Sequence, residues 1–152
     1  MSTTYNWQST LNITCNATRS DDSSIDSSQA PRSDSLIKVA STDLAIYQRI
    51  DSNGGISLDL EAIANGLGDS VDIATVHAIA VQNPTGNASI VFTGNFWTGG
   101  AGAAPPDLLA GSAFYMEFAA GITVTNAVSD TLTFTGGASA NLIDVWIAGS
   151  TT

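Results

Sequence analysis

Beyond residue 35, apolar residues of this chain nowhere recur at helical spacing for more than about one turn. They come in short alternating runs, each cut by glycine, asparagine, aspartate or proline. Residues 112–118 set Phe114, Met116 and Phe118 on one side. Residues 141–148 set Ile143, Val145 and Ile147 against Leu142, Asp144 and Trp146. A period of two belongs to a strand, whose successive side chains point to opposite faces.

Between the runs, the turn chemistry is explicit. Asp51-Ser52-Asn53-Gly54-Gly55 and Asn83-Pro84-Thr85-Gly86-Asn87 are turn signals, the second read as a hairpin into 89–93. Strands are predicted over 36–39, 44–50, 56–60, 71–82 (the longest), 89–93, 112–118, 121–125, 131–135 and 141–148. One helical turn is expected over 61–66, stopped by Gly66, and a loop of small residues and prolines over 98–106. About eight body strands at this spacing predict an all-β fold, a single antiparallel β-sandwich or jelly-roll-like domain over 36–152.

The first 35 residues read differently. Tyr5, Trp7, Leu11, Ile13, Cys15 and Ala17 all occupy odd positions with polar residues between them, the pattern of a half-buried strand. Residues 19–35 follow, serine- and aspartate-rich, with Ile25 the sole large apolar side chain. Such a segment cannot bury enough surface to offset its own ordering. Residues 1–35 therefore read as an extended N-terminal arm and polar tether, anchored through Tyr5, Trp7, Leu11 and Ile13. A strand that completes its own sheet through a surface loop fits the same pattern.

Charge narrows the partners. Only 12% of the 152 residues are charged, against roughly 25% in ordinary globular proteins. Serine, threonine, asparagine and glycine replace them, and charge depletion is also the composition of interface cores. Fourteen acids against four bases give a net charge of −10, which opposes binding to nucleic acid or to an anionic membrane. Cys15 is the only cysteine, so it pairs with none in its own chain and reads as a packing residue. The N-terminus lacks a basic, apolar leader pattern, and synthesis and assembly in a cytoplasm are expected.

A catalytic constellation is not apparent. His77, the only histidine, lies in an apolar run with Ile79 and Val81, and reads as a structural or interface residue. Glu61 and Glu117 are a pair only in the sense that any two glutamates are. Asp51, Asn53 and Gly54 open like a calcium loop, but Gly55, Ile56 and Ala62 stand where further ligands are needed. Asp69 and Asp72 are conceivable cation ligands at a subunit junction. The glycine-rich stretches lack the lysine and helix of a phosphate cradle. No catalytic residue, metal or cofactor is assigned. Among the aromatics, Phe92, Phe96, Trp97, Phe114, Tyr115 and Trp146 fit a core better than a sugar platform, and Trp97 with its loop is the candidate for ligand binding.

The order of elements carries a resemblance. His77-Ala78-Ile79-Ala80-Val81-Gln82-Asn83-Pro84 is followed by Ile90-Val91-Phe92-Thr93-Gly94. Then come Leu108 to Phe114, Gly121-Ile122-Thr123-Val124-Thr125, Asp130-Thr131-Leu132-Thr133-Phe134 and Val145-Trp146-Ile147-Ala148-Gly149. Together, from Leu44 to Gly149, these resemble the small β-sandwich virion proteins of tailed bacteriophages. That resemblance implies a non-enzymatic structural protein of the virion: a capsid decoration or cement protein that clamps neighbouring subunits of the major capsid protein, as a homotrimer. A tail or fibre component with a carbohydrate- or receptor-binding role is the alternative. The family pattern transfers no functional residue.

Overall fold

The computed structural model describes residues 44–64, 69–137 and 141–151. The arm anchors Tyr5, Trp7, Leu11 and Ile13, the strand expected over 36–39, Cys15 and Gly66 lie outside them. The described chain is all-β, with nine strands: β1 (Leu44–Asp51), β2 (Ile56–Asp59), β3 (Ile63–Ala64), β4 (Ser70–Val71), β5 (Thr75–Gln82), β6 (Val91–Thr93), β7 (Ala113–Thr123), β8 (Thr131–Thr135) and β9 (Leu142–Ser150). A six-residue π-type turn, Phe96–Ala101, precedes β7. Every strand pairing is antiparallel.

The strands form a four-stranded sheet in the order β1-β9-β5-β7, a three-stranded sheet β2-β8-β6, and the small pair β3-β4. Neither larger sheet pairs strands adjacent in sequence. The chain passes from one sheet to the other at almost every connection, and this corrects the hairpin expected at 83–87. Both edges of β5 are taken, by β9 and β7, so β6 cannot fold back on it. The buried Asn83 side chain instead donates to the carbonyls of Ala88 and Leu108, sending the chain across to β6.

Ile46, Ile79, Val81, Ile143, Val145 and Ile147 of the four-stranded sheet share one hydrophobic cluster with Leu58, Phe92, Leu132 and Phe134 of the other. Aromatic rings knit this sandwich-like interior. Phe92 stacks on Phe134 at 4.4 Å, and Trp97 meets Phe92 at 5.1 Å, Phe96 at 5.2 Å and Phe114 at 5.7 Å, all edge-on. Offset and edge-to-face contacts of this kind add to the stabilisation from buried area.

Three local expectations change. The strand expected over 71–82 is interrupted, because Ile73 donates its amide to Leu60 and Ala74 to Ser150. In the described part of the helical turn expected over 61–66, Ile63–Ala64 is instead the short strand β3, whose Ile63 is buried and lies opposite Val71. The two strands expected over 112–118 and 121–125 run together as β7, the longest at 11 residues. Gly121, at φ +72°, lets β7 bend there, opposite an irregularity in β5.

That irregularity is His77. On the β9 side, Val76 lies opposite Gly149 and Ala78 opposite Ala148, leaving His77 as an extra residue, a β-bulge. The bulge shifts the alternation by one, so that Val76 and Ile79 both reach the core. His77 therefore does not share the face of Ile79 and Val81 as the simple alternation implied.

Candidate functional site

With Ile143, Val145 and Ile147 turned to the core, the intervening residues of β9 must occupy the opposite face of the four-stranded sheet. The registers align that face in three rungs. Arg49, Asp144, Gln82 and Ala113 form the first; Tyr47, Trp146, Ala80 and Tyr115 the second; Ala45, Ala148, Ala78 and Glu117 the third. The face has aromatic walls and a small-residue floor. Ala78, Ala80 and Ala148 are fully buried, while Tyr47, Trp146 and Tyr115 are partly exposed.

One corner is a charged network. Arg49 donates from Nε to Asp144 Oδ1 at 2.8 Å and from its terminal nitrogen to Oδ2 at 3.0 Å, a two-pronged pairing. The Tyr47 hydroxyl donates to Asp144 Oδ1 at 2.7 Å, and its ring packs on Trp146 at 5.3 Å. Arg49 keeps 58% of its side chain exposed, whereas Asp144 keeps 8%. Arg49 is also the only lysine or arginine from Leu44 onward. At the diagonal corner, Tyr115 donates its hydroxyl to Glu117.

Burial pushes the Asp144 carboxyl up, but hydrogen bonds from Arg49 and Tyr47 and the guanidinium charge outweigh it, so its pKa falls below the ordinary range. Burial and then the hydrogen bond to Asp144 raise Tyr47. Arg49 is raised by its hydrogen bonds to Asp144 and by that carboxylate's charge. A carboxyl whose pKa is lowered on folding stabilises the protein above its unfolded value of about 4 and loses that contribution as pH falls through the lowered value. Asp144→Asn is thus expected to cost about 1–3 kcal/mol at neutral pH. Melting curves across pH should show the gap between parent and variant closing in acid.

The other sequence candidates fall elsewhere. Trp97 is fully buried, its ring enclosed by Phe92, Phe96 and Phe114, so the loop that carries it does not present it as a ligand platform. Phe92 and Phe96 are core as well. Glu61 accepts a hydrogen bond from Asn126 beside the three-stranded sheet, while Glu117 sits on the outer face of the four-stranded one. Asp51 is spent on the turn: its Oδ1 accepts from the amides of Asn53 and Asn141.

Among the described residues, Asp59, Glu61 and Asp130 bring carboxylate oxygens within 4.8 Å of one another, a grouping of oxygen donors suited to a hard cation. Each already accepts a protein hydrogen bond, Asp59 from the Glu61 amide, Glu61 from Asn126 and Asp130 from Asn95 and the Ala127 amide. The Asn95 and Ala127 bonds hold the Asp130 carboxyl below its usual range. Asp69 and Asp72 are not members of this group.

Sequence reading placed Asp144 and Trp146 on one face of their strand but missed Tyr47 and Arg49 as their neighbours. The signal lay in 44–50, where Ala45, Tyr47 and Arg49 alternate with Leu44, Ile46 and Ile50. Among the described residues no helix is long and apolar enough to cross a membrane. No protein-family model matches the chain, and neither a curated protein nor a solved structure is detectably similar to it.

Proposed function

We propose that the protein is a structural subunit of a larger protein assembly, of the capsid-decoration kind, and acts by contact rather than by catalysis. The observation that carries this reading is the outer face of the four-stranded sheet. Tryptophan, tyrosine and arginine are the residue types that concentrate binding energy at protein interfaces, and Tyr47, Trp146, Tyr115 and Arg49 stand together there on a rigid sheet. The low density of charge elsewhere in the chain fits the same role. In this reading the β-body sits against neighbouring virion proteins, and residues 1–35 reach over them by strand addition, anchored through Tyr5, Trp7, Leu11 and Ile13.

Quantitative mass spectrometry of large particles purified from cells that make the protein tests this. The protein is expected at a fixed copy number per particle, and removal of residues 1–17 is expected to release it while the β-body keeps its circular dichroism. Recovery only as free protein, with no fixed stoichiometry in any particle, overturns the proposal.

A further inference from the structure

We infer that the outer face of the four-stranded sheet binds the same face of a second copy of this chain, through a twofold axis that crosses the two sets of strands at about 90°. The inference rests on the assembly reading above and names the occupant of that surface. Across the strands, β1 to β7 is three spacings of about 4.8 Å; along them, the rung of Arg49 lies four residues of about 3.4 Å from that of Ala45. Both come to about 14 Å, so the patch is close to square.

Arg49 and Glu117 occupy diagonally opposite corners of this square. A twofold axis lying in the face along the other diagonal exchanges them. Arg49 of each copy then stands over Glu117 of the other, twice per dimer. Arg49 commits two donors to Asp144 and has others to offer, on a side chain that is more than half exposed. With Arg49 the only lysine or arginine from Leu44 onward, a self-complementary match of this sort is the arrangement that brings it to a carboxylate of a like-charged copy.

The alanines Ala45 and Ala113 stand on this axis at the remaining corners, and Trp146 and Ala80 flank it at the centre, so the two copies of Trp146 face each other there. Tyr47, midway along the β1 side, stands over the alanine rung of the second copy, where no bulky side chain opposes it. Crossing at near right angles is one of the two stable ways for sheets to pack face to face. The resemblance to decoration proteins implied a trimer. A threefold ring needs two different complementary surfaces, whereas this face matches itself and so closes at two. Four strands of this length offer about 500 Å² per copy, about 1,000 Å² in all, at the lower end for specific association. The dimer is therefore concentration-dependent.

The test uses full-length protein carrying Cys15→Ser. Arg49→Cys and Glu117→Cys are made as separate variants and treated with a short bis-maleimide suited to the ~10 Å between packed sheets. Mixed together, the two variants are expected to give a covalent dimer. Alone, each should give none, because like positions lie about 20 Å apart across this axis. Sedimentation of the unaltered chain is expected to show a dimer whose affinity falls at least about tenfold on Glu117→Arg, which does not disturb the Arg49–Asp144 pair. A chain monomeric at every concentration, a trimer, or cross-linking as strong in the separate variants as in the mixture overturns the inference. Residues 5–17 or another protein over this face would leave the isolated chain monomeric, and so also overturn it. None of these outcomes depends on particle stoichiometry, so this inference and the assembly reading can fail separately.

Discussion

Replacing Trp97 with alanine is expected to lower the stability of the protein by about 3–5 kcal/mol, the range for deleting a large aromatic side chain from a closed core. The ring is fully buried and touches aromatic side chains from β6, from its own turn and from β7, thereby joining both sheets. Partial collapse around the void cannot restore contacts to three separate elements, which puts the expected loss at the upper part of that range. Urea titration followed by fluorescence of the remaining tryptophans measures it. A variant within about 1 kcal/mol of the parent, far below the range for such core deletions, would show that the ring does not hold the sheets together.

Gly94→Ala is expected to cost about 3 kcal/mol or more, although it adds one methyl group. Gly94 has φ +121°, a backbone conformation open essentially to glycine alone. A Cβ there would lie 2.2 Å from the carbonyl oxygen of Thr131 and 2.9 Å from its carbonyl carbon, both backbone atoms of β8. Neither partner can move aside without disturbing β8, so strain and clash add. The position matters because the Gly94 carbonyl accepts the Trp97 amide and so starts the turn that delivers the indole to the core. Thermal unfolding of the variant, compared with Gly86→Ala, where a Cβ meets nothing within 4 Å, separates this effect from the general loss of glycine flexibility.

Local pattern carried much of the fold. The strand expected over 131–135 is β8, and the alternation of Ile143, Val145 and Ile147 is the core face of β9. These succeed because a strand with one buried face writes a period of two directly into its residues. Pairing was not legible. Asn83 to Asn87 has the residues of a hairpin turn, yet what decides its path is whether β5 has a free edge, and that depends on β9, some 60 residues later. The bulge at His77 is likewise a property of three strands together. Nothing in Val76-His77-Ala78 announces an extra residue.

The outer face was half legible for the same reason. Each strand's contribution is visible as alternation, but the rung that sets Tyr47 beside Trp146 exists only once β1 and β9 are in register. Trp97 misled because glycines and prolines beside an aromatic look like an exposed loop. Here the glycines serve close backbone packing, as at Gly99 and Gly100, where an added Cβ would collide with Val128 or with Ile122.

The order in which the sheets are threaded has a consequence for how the protein comes to exist. On the ribosome β1 and β5 emerge well before β9, the strand that lies between them. Until it arrives, neither can close against the other, and no hairpin offers a local nucleus in either large sheet. Folding must therefore wait for distant segments to meet, a slow search during which unpaired strand edges are open to other nascent chains. The surplus of negative charge, −10 over the chain, acts against that hazard by holding unfinished copies apart.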